Sequence, residues 1–178
     1  VYVAAGARPE LIEYIEGLGQ YRVIQVEPNP SITNAIAAHP DLAMCRLGCS
    51  EGAPVVKATA EELAAMSGTY PQDVAFNAAC TGTYFIHNPD FTSPRLRQAA
   101  EELGMQFVDV KQGYAKCSVI VVDERSIITY DRGIYSACVA AGLDVLLVQS
   151  GHIFLEGYAT GFIGGATGRI GDTIIFNG

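Results

Sequence analysis

Short runs rich in Val, Ile, Tyr and Phe alternate along the chain with single amphipathic stretches, and glycine or proline marks most junctions. Val1 to Ala5 reads as a strand. Pro9 to Glu16 reads as a helix, with proline in its first turn and Gly17 and Gly19 just past its end. Tyr21 to Val26 is the next strand, broken by Pro28-Asn29-Pro30. Weaker strands are predicted at Asp41 to Leu47 and Pro54 to Lys57. Thr59 caps a helix running through Met66, with Glu62 in the capping-box position, and Asp73 to Asn77 is again extended. The pattern then sharpens. Thr83 to His87 is a strand, Ser93-Pro94 opens a helix that runs to Leu103 and stops at Gly104, and Phe107 to Lys111 is a strand. Cys117 to Val122 and Ser126 to Tyr130 form two strands around the tight Asp123-Glu124-Arg125 turn. Ile134 to Ala141 is a helix ended by Gly142, Val145 to Val148 is a strand, and the glycine-rich stretch Gly161 to Gly168 leads into a last strand at Thr173 to Phe176.

These segments repeat. Gly104 and Gly142 both close a helix, Phe107 and Val145 both begin a strand, and Gly113 and Gly151 both follow one, each pair about 38 residues apart. The unit reads strand–strand–helix–strand. Whole units are predicted at about 41–77, 78–113 and 114–151, with partial units at 1–29 and 161–178. Partial units at both ends suit a closed ring of five better than a solenoid, which requires capping repeats. Two strands before each helix also argue against a doubly wound dinucleotide fold, where strands and helices alternate singly.

Composition narrows the partners. Hydrophobic residues make up 49% and charged residues 17% of the 178 positions, a mix that builds a core in one domain. The formal charge of −8 disfavours phosphate backbones and anionic lipid, so neither nucleic acid nor membrane is an expected partner. No apolar run reaches the roughly 18 residues of a membrane span. The lack of an initiator Met, and an end just after a strand-like run, lead us to expect a fragment. The five cysteines, at 45, 49, 80, 117 and 138, are odd in number and follow no framework spacing, so free thiols in a cytoplasmic protein are expected. Three residues separate Cys45 from Cys49, not the two of a zinc knuckle, and no metal site is predicted. Gly161 to Gly168 lacks the spacing, the Lys-Ser/Thr and the following helix of a phosphate loop, so no cofactor is predicted and close backbone packing explains its glycines.

The repeat resembles the pentein, or guanidino-modifying-enzyme, fold: a five-bladed, pseudo-symmetric α/β propeller. More narrowly, His39-Pro40-Asp41, Asn77-Ala78-Ala79-Cys80, Phe85-Ile86-His87-Asn88, the run from Val110 to Cys117 and Gly161-Phe162-Ile163-Gly164-Gly165 resemble an uncharacterised bacterial family assigned to that fold. The resemblance implies a site on the ring axis, and chains that extend past the position of Gly178. Characterised pentein hydrolases attack a guanidinium carbon with a Cys, shuttle protons with a His and hold the cation with carboxylates. Here Asn77-Ala78-Ala79-Cys80 stands where their acidic run lies, Cys117-Ser118-Val119 where they carry His-x-Asp, and Ala166-Thr167-Gly168 where their nucleophile lies. A standard guanidine hydrolase is therefore not expected.

The remaining polar residues supply the candidates. Cys117 beside Lys116 is the sharpest, because an adjacent ammonium lowers a thiol pKa; its plain alternative is a small buried residue. An imidazole base has to be His39, His87 or His152, and His152 completes the candidate catalytic set with Cys117 and Lys116. Asp41 is placed to orient His39. The candidate ligand-binding set is His39, Asp41, Asn77, His87, Lys111 and Thr167, with Lys111-Gln112 and Gln149-Ser150 at equivalent strand ends. Two functions stay open. One is a binder or non-standard hydrolase of a small amidine, guanidino compound or amide, cationic ligands included. The other is a non-catalytic scaffold or interaction module, for which the pentein-fold ribosome anti-association factor is a precedent.

Overall fold

A computed structural model describes residues 1–32, 36–156 and 159–177. Gly178, the last position of the final predicted unit, lies outside the described residues. The fold is mixed α/β, with five small sheets and six helices among the described residues.

The first segment is β1 (Tyr2–Ala4), α1 (Pro9–Gly17) and β2 (Ile24–Val26), and the two strands pair in parallel. Next come α2 (Pro40–Ala43), β3 (Met44–Arg46), β4 (Val55–Lys57) and α3 (Ala60–Ala65), with β3 and β4 antiparallel. Two segments of one topology follow. The first is β5 (Ala79–Cys80), β6 (Tyr84–His87), α4 (Pro94–Glu102) and β7 (Gln106–Asp109). The second is α5 (Ala115–Ser118), β8 (Val119–Val121), β9 (Ser126–Thr129), α6 (Arg132–Ala140) and β10 (Asp144–Leu147). In each, an antiparallel pair is extended by a third strand that runs parallel to the middle one, reached through the helix. The antiparallel pair β11 (Thr167–Ile170) and β12 (Thr173–Phe176) closes the described chain.

Local chemistry explains the helix starts. Thr59 and Glu62 form the reciprocal capping box, and the Asp131 side chain accepts the Ile134 N–H at the head of α6. Ser93 makes no cap bond; its hydroxyl donates to Glu62 Oε1 at 2.8 Å, and Pro94 opens α4.

Three predicted strands need correction. Asp73 to Asn77 is a turn, because its backbone closes on itself, Val74 N–H on Pro71 O and Asn77 N–H on Val74 O, while the Asp73 side chain takes the Tyr114 hydroxyl. The 41–77 unit therefore lacks its third strand. Asp41 lies in α2, where Pro40 favours a helical first turn, so β3 begins only at Met44. Cys117 sits in the single turn α5, and β8 begins at Val119. Strands β5 and β11 add to the elements read from the sequence.

The central sheet is buried on both faces, which is why Tyr84-Phe85-Ile86 is continuously apolar. Tyr84 and Ile86 join Val108, Ile127, Ile134 and Cys138 on one side, while Phe85 joins Cys45, Leu47, Phe76 and Leu96 on the other. A third cluster of Ile32, Ile36, Leu42, Val74, Tyr114 and Cys117 underlies the site. The leading strands of successive segments are neighbours: β3 lies against β5, β5 against β8 and β8 against β11.

Candidate functional site

Each leading strand is preceded by a tight turn: α2 before β3, 75–76 before β5, α5 before β8 and 163–166 before β11. These lead-in turns meet, and they carry the polar residues. Backbone bonds knit them together, with Lys116 N–H donating to Asn77 O and Gly165 N–H to Cys117 O. Glycine is required at the seam. A Cβ on Gly164 would collide with the carbonyls of Lys116 and Val119, and one on Gly165 would sit 3.1 Å from His39 Nε2.

His39 Nε2 lies 3.2 Å from Gly165 O, and since a carbonyl only accepts, that nitrogen carries the hydrogen. Nδ1 is then left without a hydrogen-bond partner although the atom is buried; it lies 3.5 Å from Asp41 Oδ2. The same carboxylate oxygen lies 3.6 Å from Lys116 Nζ, which also donates to Gly164 O at 3.4 Å. Thr167 Oγ1 donates to that carbonyl as well, at 3.2 Å. Asn77 clamps Cys117: its Nδ2 donates to Sγ at 3.1 Å, and its Oδ1 accepts the Cys117 N–H at 3.1 Å. One donor atom each from His39, Asp41 and Cys117 lie within 4.8 Å of one another.

Electrostatics runs against a thiolate. Cys117 is 2% exposed, and burial, reinforced by the Asp41 carboxylate, pushes its thiol up to about 12 despite Asn77 and Lys116. Lys116 acts on the thiol in the expected direction, lowering its pKa, but burial and Asp41 outweigh it. Burial alone would lower the Lys116 pKa, but Asp41, with Cys117 and Cys45 adding to it, outweighs burial and the ammonium is held above its usual range. Asp41 and Lys116 form a charge pair with 22% and 27% of their side chains exposed, and His39 is 20% exposed.

The structure therefore brings His39, Asp41, Asn77, Lys116 and Cys117 together, with Thr167 joined through Gly164 O. The other candidates lie elsewhere. His87 is buried, Nε2 donating to Gly113 O at 2.9 Å and Nδ1 lying 2.7 Å from Thr92 Oγ1; burial lowers its pKa to about 4. Lys111 is exposed, and its carbonyl accepts from Asn88 Nδ2. His152 is exposed and lines a separate cavity of about 600 Å³ with Gln149, Ser150 and Tyr130.

Two residues at the site escaped the sequence reading. Asp73 Oδ2 accepts the Tyr114 hydroxyl at 2.6 Å in the interior, and its Oδ1 has no hydrogen-bond partner. Asp73 raises the Cys117 pKa further. The available signal was an acidic residue at the head of a short apolar run, Asp73-Val74-Ala75-Phe76. His39, alone of the clustered residues, also lines a cavity of about 430 Å³ together with Glu27, Asn29, Leu42, Leu63 and Met66.

No solved structure and no curated protein matches the chain. A family model matches residues 2–178, and the chain belongs to that family, a family of unknown function (DUF6873).

Proposed function

We propose that the chain forms a pentein-like ring in which the meeting point of the lead-in turns is a binding site for a small C–N compound: an amidine, a guanidino compound or an amide. The observation that carries this reading is the convergence of His39, Asp41, Asn77, Lys116 and Cys117 from three separate segments, with His39 on the wall of a cavity. The ring is supported by the serial contact of β3, β5, β8 and β11, and by Arg169, whose guanidinium donates to Cys49 O at 2.8 Å across 120 residues. Asp41 is the acceptor for a cationic or N–H-bearing group, with the His39 ring beside it, while the Asn77 amide is spent on holding Cys117 in place. A buried, protonated thiol does not attack unaided, so Cys117 lines the site rather than acting as a free nucleophile in the resting state.

The test is a thermal-shift panel of amidines, guanidino compounds and carboxamides on the full chain, followed by ammonia release for any binder. A ligand well above its Kd is expected to raise Tm by a few degrees, and Asp41→Asn to abolish the rise. No response across the panel overturns the reading. A non-catalytic interaction module is the second reading, favoured by the exposure of Leu146, Leu147, Phe154 and Phe176. It expects no response to any of these compounds.

A further inference from the structure

We propose that His39 Nδ1, the Asp41 carboxylate and Cys117 Sγ bind one divalent transition-metal ion, zinc being the best match. The inference rests on the site reading above and adds a metal that the sequence did not predict.

Three independent features point to it. The donor set of one nitrogen, one oxygen and one sulfur within 4.8 Å suits a borderline-soft ion and excludes magnesium or calcium, which demand oxygen. His39 is oriented as a metal-ligating histidine is: the far ring N–H is fixed on the Gly165 carbonyl, and Nδ1 is buried without a hydrogen-bond partner. The sulfur, too, has an outer partner, the Asn77 amide at 3.1 Å. Three protein ligands leave a fourth position for water or a small ligand, the arrangement of catalytic zinc sites.

Two adjustments accompany binding. Zinc–ligand bonds of roughly 2.0–2.3 Å bring tetrahedral donor atoms to about 3.5 Å apart, so the three draw in by about 1 Å, mostly through the part-exposed His39 and Asp41. Lys116 leaves the carboxylate but keeps Gly164 O, already 3.4 Å away. As the metal–sulfur bond forms, the thiol proton passes to solvent, and no oxidant or reductant is needed.

Cobalt(II) is the probe. The full chain, stripped with chelator, is titrated with Co²⁺ under reducing conditions. The expected result is one equivalent bound, with tetrahedral d–d bands and a sulfur-to-cobalt charge-transfer band. Zinc displaces the spectrum. Cys117→Ser loses the charge-transfer band, and His39→Gln and Asp41→Asn, at part-exposed positions that spare the core, each weaken binding at least 10-fold. Absence of a charge-transfer band in the unmodified chain overturns the proposal, as does a band that survives in Cys117→Ser. Should that variant not fold, unchanged cobalt affinity in both His39→Gln and Asp41→Asn overturns it equally. Ligand-induced Tm shifts in metal-free protein without any cobalt band sink the metal and leave the small-ligand site standing. A cobalt band with no response to the compound panel does the reverse.

Discussion

Val108 and Leu146 occupy the same place in two sheets of one topology: third residue of the outer parallel strand, β7 in one case and β10 in the other. Val108 is 5% exposed and Leu146 is 59% exposed. The strands do not differ in type or register; their neighbours do. Helix α6, which belongs to the second sheet, packs on β7 and sets Ile134 and Cys138 against Val108 and Val110. The repeated unit therefore does not finish its own outer strand; the helix of the following unit does. For this strand, burial depends on a contact between units and not only on those within one.

Ile134→Ala puts the largest load on that contrast. It empties a fully buried position between α6 and β7, and a loss of about 2–5 kcal/mol is expected in urea unfolding, felt by the first sheet although the mutation lies in the second. A loss confined to hydrogen exchange in β8–β10 would break the comparison.

Acid should separate the sheets next. His87 closes β6 where Thr129 closes β9, so the first sheet has a titratable residue at a position that is a hydroxyl in the second. The His87 pKa falls from 6.5 to about 4 on folding, chiefly through burial, so the unfolded chain binds the extra proton between these values. Stability from this residue is complete above about pH 6.5 and is lost as the pH falls toward 4. The loss amounts to about 3 kcal/mol at most. His87→Gln should flatten that part of the Tm–pH curve; an unchanged slope rejects the assignment.

Helix starts give a smaller difference. Asp131→Ala removes the side-chain cap of α6 and should cost about 1 kcal/mol by chemical denaturation. The smallest effect is expected at the exposed end of the comparison. Leu146→Ala should stay within about 0.5 kcal/mol, whereas Val108→Ala should cost about 2 kcal/mol. Equal costs would mean that Leu146 is covered in solution.

Helices α1, α3, α4 and α6 were legible in the sequence because capping residues, prolines and closing glycines bracket a periodic run. The repeat was legible for the same reason, since its glycines recur at one offset. The single-turn helices α2 and α5 were not, because four residues show no periodicity and their geometry is set by distant partners. Each of the five clustered residues could be singled out, but not their meeting. His39 joins Gly165 across 126 residues and Asn77 joins Cys117 across 40, separations on which local pattern is silent. His87 shows the converse. A histidine at a strand end looks like a site, yet the backbone of Gly113 and the Thr92 hydroxyl, neither visible as its partner in the sequence, make it a structural residue.

The bond from Arg169 to Cys49 O has a kinetic meaning. Its partners are separated by 120 residues, and closing a loop of that length carries an entropic cost of about 4 kcal/mol. The hairpins β5–β6 and β8–β9 close over only a few residues and can form long before. The β3–β4 loop and β11 are then brought together late, after the folding barrier, so that Arg169→Ala is expected to hasten unfolding while leaving the folding rate nearly unchanged.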